Sequence, residues 1–161
     1  MVPGALVQRS VRIVTEPFAD DVVLNKAALI ERCVARAQEE YDKDPLTFAA
    51  DCSRQDAAIL NIQRACQGAL DMGQHLIRRE RLGVPVSARD VFQVLAGGGL
   101  ISPLLADVLQ RIVDFRDIAL HDYQALQVPI VVAVIRDHLD DFLTFSRVVL
   151  QRSSAPPGGG K

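Results

Sequence analysis

Between Asp21 and Asp42 the apolar positions Val23, Ala27, Ile30, Val34, Ala37 and Tyr41 are spaced alternately four and three residues apart. That spacing draws one stripe along an α-helix and fits no strand, whose side chains repeat every second residue. A second stripe runs through Ile59, Ile62, Cys66, Leu70, Gly73 and Ile77. A third runs through Leu105, Val108, Leu109, Ile112, Phe115 and Ala119. No segment combines two-residue alternation with hairpin turns. The expected class is therefore all-α, an antiparallel bundle of four to five helices.

Local signals set the expected boundaries. Asp44-Pro45 ends the first helix, because the residue before a proline avoids helical geometry. Ser53 with Asp56 resembles a capping box for the second, which closes near Leu82-Gly83. Ser87 with Asp90 opens a short third helix and Gly97-Gly98-Gly99 ends it. Ser102-Pro103 places a cap before a first-turn proline. Val128-Pro129 separates the fourth helix from a fifth, Ile130 to about Leu150. Ile130 to Ile135 is β-branched enough for a strand, but Leu139, Phe142, Leu143 and Ser146 continue at helical spacing. Residues 1–20 read as a flexible N-terminal arm, 21–150 as the helical domain and 151–161 as a disordered Pro-Gly tail.

The 161 residues suit one domain. A formal net charge of −2 argues against a surface coated with phosphate-binding cations. It leaves room for one local basic site. Cys33, Cys52 and Cys66 are odd in number and scattered, which reads as free thiols of a reducing compartment. No apolar run approaches the ~18 residues of a membrane span, so a cytoplasmic protein is expected. No cluster has zinc-ligand spacing, so no metal is expected. Gly97-Gly98-Gly99 lacks the strand, Lys and Ser/Thr of a phosphate loop, and no cofactor is expected.

Of the three histidines, His75 and His138 read as surface or packed side chains. His121 keeps different company: Arg116 lies five residues before it, Asp117 four before and Tyr123 two after. An Arg beside a His suits phosphodiester chemistry, the guanidinium neutralising phosphate and the imidazole moving protons. On a regular helix, positions five apart point about 140° away from each other. Either the helix unwinds at His121, or a second copy of the chain completes the site. Asp117 shares a face with His121 and can orient the ring and favour its protonated form. On spacing alone, an exposed helix end with an Asp–His pair and a solvated Arg is the simpler account. Arg78, Arg79 and Arg81 form a basic cluster that suits either RNA backbone or a solvated helix end.

The segment Arg116-Asp117-Ile118-Ala119-Leu120-His121-Asp122-Tyr123 resembles the R-x4-H-x-Y signature of HepT-like proteins in the HEPN superfamily, the toxin halves of HepT/MntA toxin–antitoxin pairs. Asn61 to Ile77 looks like the family's second long helix, and Val86 to Tyr123 like the rest of its core. The resemblance spans roughly Asp21 to Leu150. It implies an HEPN-like homodimer whose two copies bring Arg116 and His121 to a shared cleft. The implied activity is metal-independent RNA cleavage, with His121 handling protons and Arg116 holding phosphate. The implied partner is an MntA-like nucleotidyltransferase antitoxin that transfers AMP to Tyr123, placing nucleotide phosphate close to Arg116. An alternative is a non-catalytic helical dimer that binds the nucleotidyltransferase and serves as its substrate. One departure stands out: the residue after the Arg is commonly Asn in this group, and here it is Asp117.

Overall fold

The computed structural model describes residues 20–155. Most of the expected arm and the Pro-Gly end of the expected tail lie outside the described residues. Within them there are six α-helices and two short 3-10 turns, and no strand. We number the helices α1 (Asp21–Asp42), α2 (Cys52–Glu80), α3 (Ala88–Gly97), α4 (Pro103–His121), α5 (Val128–Asp137) and α6 (Leu139–Ser153). The turns are Phe48–Ala50 and Tyr123–Ala125.

The stripes read from the sequence are the buried faces. Val23, Ile30, Val34 and Ala37 of α1 are buried, as are Ile59, Ile62, Cys66, Leu70, Gly73 and Ile77 of α2. α2, with 29 residues, packs against all five other helices. Its polar residues also tie off their ends. Arg54 donates from Nε to the Glu40 carbonyl at 2.9 Å and from Nη2 to the Asp44 carbonyl at 2.8 Å, satisfying acceptors that the end of α1 leaves open. At the other end of α2, the His75 ring meets the Asp20 carboxylate at 2.7 Å, and Asp20 caps the start of α1 through the Val23 N–H. α1 and α2 therefore run antiparallel. Arg79 donates to the carbonyls of Arg152 and Ala155 past the last turns of α6.

Three boundaries differ from the sequence reading. The N-cap of α2 is Asp51, whose side chain accepts from the Arg54 N–H at 3.2 Å, and not Ser53. Asp56 then falls beyond the first turn and is freed from capping. The expected fifth helix is two helices, which makes six rather than four to five. The break falls at His138 (φ −127°, ψ −4°), where the ring and the Asp141 carboxylate meet at 3.0 Å across the joint. Periodicity hides it because Val131, Val134, Ile135, Leu139 and Phe142 are all buried and keep helical spacing through the break. Finally, α6 continues through Gln151 and Arg152 to Ser153, which is buried, so the chain from 151 is not all tail.

At Gly73, α2 packs closely against α3. A Cβ there would lie 2.7 Å from Val91 Cγ1 and 3.2 Å from Leu95 Cδ1. Gly73→Val should overpack this contact and cost roughly 1–3 kcal/mol. Urea unfolding followed by circular dichroism should record a lower midpoint with an unchanged slope.

Candidate functional site

Ser102 caps α4 by accepting from the Leu105 N–H at 3.1 Å, with Pro103 in the first turn. The helix then stays regular to His121 and ends at Asp122, whose N–H bonds the Ile118 carbonyl at 2.8 Å. The helix does not unwind before His121. Unwinding of α4 therefore does not bring Arg116 and His121 together within this chain.

The two side chains leave α4 on different sides. Arg116 lies at the border of the buried face, with 16% of its side chain exposed. Its Nη1 donates to Gln67 Oε1 of α2 at 3.0 Å. Its Nε and Nη2 donate to Asp117 Oδ1 at 3.3 and 2.8 Å. Burial pushes the neighbouring Cys66 thiol up to about 12, and the positive charge of Arg116 opposes that rise. His121 is exposed on the outward face, and its ring makes no hydrogen bond or ion pair with a described residue. The Asp117 carboxylate is thus engaged by Arg116, against the expectation that it orients His121. A guanidinium one residue away supplies a full charge, whereas the imidazole at the end of α4 is exposed to water.

Tyr123 opens the 3-10 turn that follows α4 and is 43% exposed. Its hydroxyl donates to Asp56 Oδ1 of α2. Partial burial pushes the phenol up to about 12, and the hydrogen bond to Asp56 with the charge behind it adds to the rise. Asp56 and Gln67 are eleven residues apart on α2 (67 − 56), or roughly 16 Å at 1.5 Å per residue. In the unmodified chain the Tyr123 hydroxyl therefore rests beside Asp56, about three turns of α2 away from the Gln67 side chain that holds Arg116.

The basic cluster at the end of α2 divides. Arg79 is committed to the α6 carbonyls and to Glu80. Arg78 and Arg81 are exposed, and Arg81 adopts a left-handed φ of 56° as it caps the helix. A second basic feature escaped sequence reading. Arg32 and Arg36 of α1 and Arg64 of α2 line a groove of about 510 Å³ between the two helices. Only antiparallel packing of α1 on α2 brings these residues together. Asp56 and Gln67 were missed for the same reason. Among the described residues no group of three or more His, Cys, Asp or Glu side chains is placed to hold a metal ion. No helix there is long and apolar enough to cross a membrane.

Comparison with known proteins gives a consistent result. A family model described as ribonuclease HepT-like matches residues 30–149. The mRNA nuclease HepT of Shewanella oneidensis is 44% identical over 130 residues, covering 81% of this chain and 97% of the relative. Among solved structures, a tri-AMPylated Shewanella oneidensis HEPN toxin in complex with MNT antitoxin is 44% identical, with a TM-score of 0.78 over 81% of this chain and 98% of the other. A toxin–antitoxin with AMP-PNP is 43% identical, with the same TM-score and the same shares covered.

Proposed function

This chain belongs to the HepT-like ribonuclease family, and from that premise we propose that it is the ribonuclease toxin of a toxin–antitoxin pair. In this reading Arg116 and His121 cleave RNA without a metal ion. An MNT-type nucleotidyltransferase neutralises the chain by adenylylating Tyr123. The 44% identity to an mRNA nuclease and the likeness to a tri-AMPylated toxin bound to its antitoxin support it. The observation that carries it is the end of α4. A cation, an imidazole without a described partner and a surface tyrosine follow one another there across the last two turns of α4 and the turn that follows it. His121 moves protons at the reacting oxygens. Arg116, once turned from Asp117, neutralises the charge that builds on phosphorus. Arg32, Arg64, Arg78 and Arg81 are further cations for the RNA backbone. A nucleotide chain grown from Tyr123 puts negative charge in the path of RNA towards these cations.

The active unit is a homodimer in this reading. Leu104 and Ile118 of α4 and Ile130 of α5 are exposed, and Val108, Phe115, Pro129 and Ala133 line a shallow apolar depression of about 290 Å³ beside them. His121 is three residues from Ile118 and shares its outward face. A second copy seated on this surface brings its own Arg116 and His121 to the same seam.

Three outcomes test these statements. Purified wild type should cleave RNA in EDTA, and His121→Ala should slow it by roughly 100-fold or more; cleavage only with added magnesium or manganese would contradict the metal-free reaction. Wild type should scatter light as a dimer at micromolar concentration, and Ile118→Asp should give a folded monomer without RNase activity. Asp117→Asn should release Arg116 and strengthen RNA binding about two- to fivefold, the worth of an exposed charge pair. Its cleavage should quicken and its pH profile stay in place, since Asp117 faces Arg116 and not the imidazole.

A further inference from the structure

Asp56 has no evident structural task. It does not cap α2, because Asp51 does, and it forms no ion pair with a described residue. It sits on the exposed face of α2, and the contact recorded for its carboxylate is the Tyr123 hydroxyl. The contact joins residues 67 positions apart, so it forms only because the turn after α4 is laid against the first part of α2. A phenol is a poor nucleophile while it keeps its proton, and the groups around Tyr123 keep the proton on. Asp56 and Cys52, both of α2, are the titratable groups that face it, and no cation bears on it to favour a phenolate. His121 is exposed and makes no hydrogen bond to Tyr123. An attacking Tyr123 oxygen therefore needs an acceptor for its proton, and one is already bonded to it.

We propose that Asp56 is the proton acceptor for adenylylation of Tyr123, so that the toxin chain itself carries a catalytic group for its own modification. The inference rests on the reading of Tyr123 as the modified residue. In the step, a lone pair of Tyr123 Oη attacks the α-phosphorus of ATP held by the nucleotidyltransferase. The Oη–P bond forms and the bond to the β-phosphate oxygen breaks. Pyrophosphate leaves with that electron pair, and the phenolic proton passes to Asp56 Oδ1. The product oxygen is an ester with no proton to donate, and the new phosphate is negative. The modified side chain is therefore repelled by Asp56, and the contact belongs to the unmodified toxin.

The test uses the full chain with its cognate nucleotidyltransferase, ATP and magnesium, following AMP incorporation by intact mass across pH. Four proteins are compared: wild type, Asp56→Asn, Asp56→Glu and Tyr123→Phe. Asp56→Asn keeps an acceptor oxygen but cannot take the proton, so a purely positional role would leave its rate near wild type. We expect it to be slower by roughly 100-fold at neutral pH, with a rate that climbs steadily with pH as the phenol ionises unaided. Asp56→Glu should recover part of the rate. Without the partner, an ultraviolet titration of tyrosinate should find Tyr123 ionising at lower pH in Asp56→Asn than in wild type. Thermal melting confirms that each variant folds. A wild-type rate and pH profile in Asp56→Asn, or an unmoved tyrosine titration, would overturn the role of Asp56 alone. AMP added to wild type and equally to Tyr123→Phe would overturn the assignment of Tyr123, and the inference with it.

Discussion

The bundle depends on the burial of α2. Its 29 residues give it a length of about 43 Å at 1.5 Å per residue, and one face along that length is apolar. Such a face has to be covered, and no single partner helix covers it. α1 lies along it, while α3, α4, α5 and α6 pack on what remains. The small residue Gly73 allows Val91 and Leu95 of α3 to approach the α2 backbone. Polar side chains at both ends of α2 complete the arrangement. Arg54 takes the carbonyls that α1 leaves open, Arg79 takes those of α6, and His75 holds the capping aspartate of α1. These contacts fix the helices' register, since sliding would break all of them at once.

The same helix is the floor of the site. Its buried side positions α4, and its open side supplies the two contacts that decide where the functional groups rest. Gln67 draws Arg116 inward and Asp56 holds Tyr123. Between them His121 stays free on the outward face. The resting chain thus keeps its cation neutralised by Asp117, its tyrosine protonated and its imidazole exposed. In the proposed reading, these groups do not yet face a common phosphate within one chain, which is the condition a shared dimer seam would relieve.

Much of this was legible in the residues. Caps at Ser87 and Ser102 and the glycine stop after α3 are local signals, and each works through atoms within a few residues. Pro129 reads as a separator in the sequence but lies in the first turn of α5, which starts at Val128. The buried stripes of α1 and α2 followed from period alone. The break at His138 did not, because apolar spacing continues through it and the deciding contact is a ring-to-carboxylate pair at i,i+3. The α2 cap at Asp51 was misplaced by two residues because Ser53 with Asp56 offers a competing pattern of the same kind.

Spacing in one segment determined that Arg116, His121 and Tyr123 would lie together at the end of a helix, since a regular helix turns any short motif into a fixed set of directions. It also determined that Arg116 and His121 would not face each other within one chain. Only tertiary structure decided their partners. Asp117 is spaced to share a face with His121, but its carboxylate accepts from the Arg116 guanidinium, which Gln67 of α2 also holds. The Tyr123–Asp56 contact and the arginine groove between α1 and α2 join residues far apart in the chain. Nothing in linear spacing encodes such pairs. They arise when burying apolar stripes sets helix against helix, and the polar residues on the borders of those stripes meet whatever the packing brings to them.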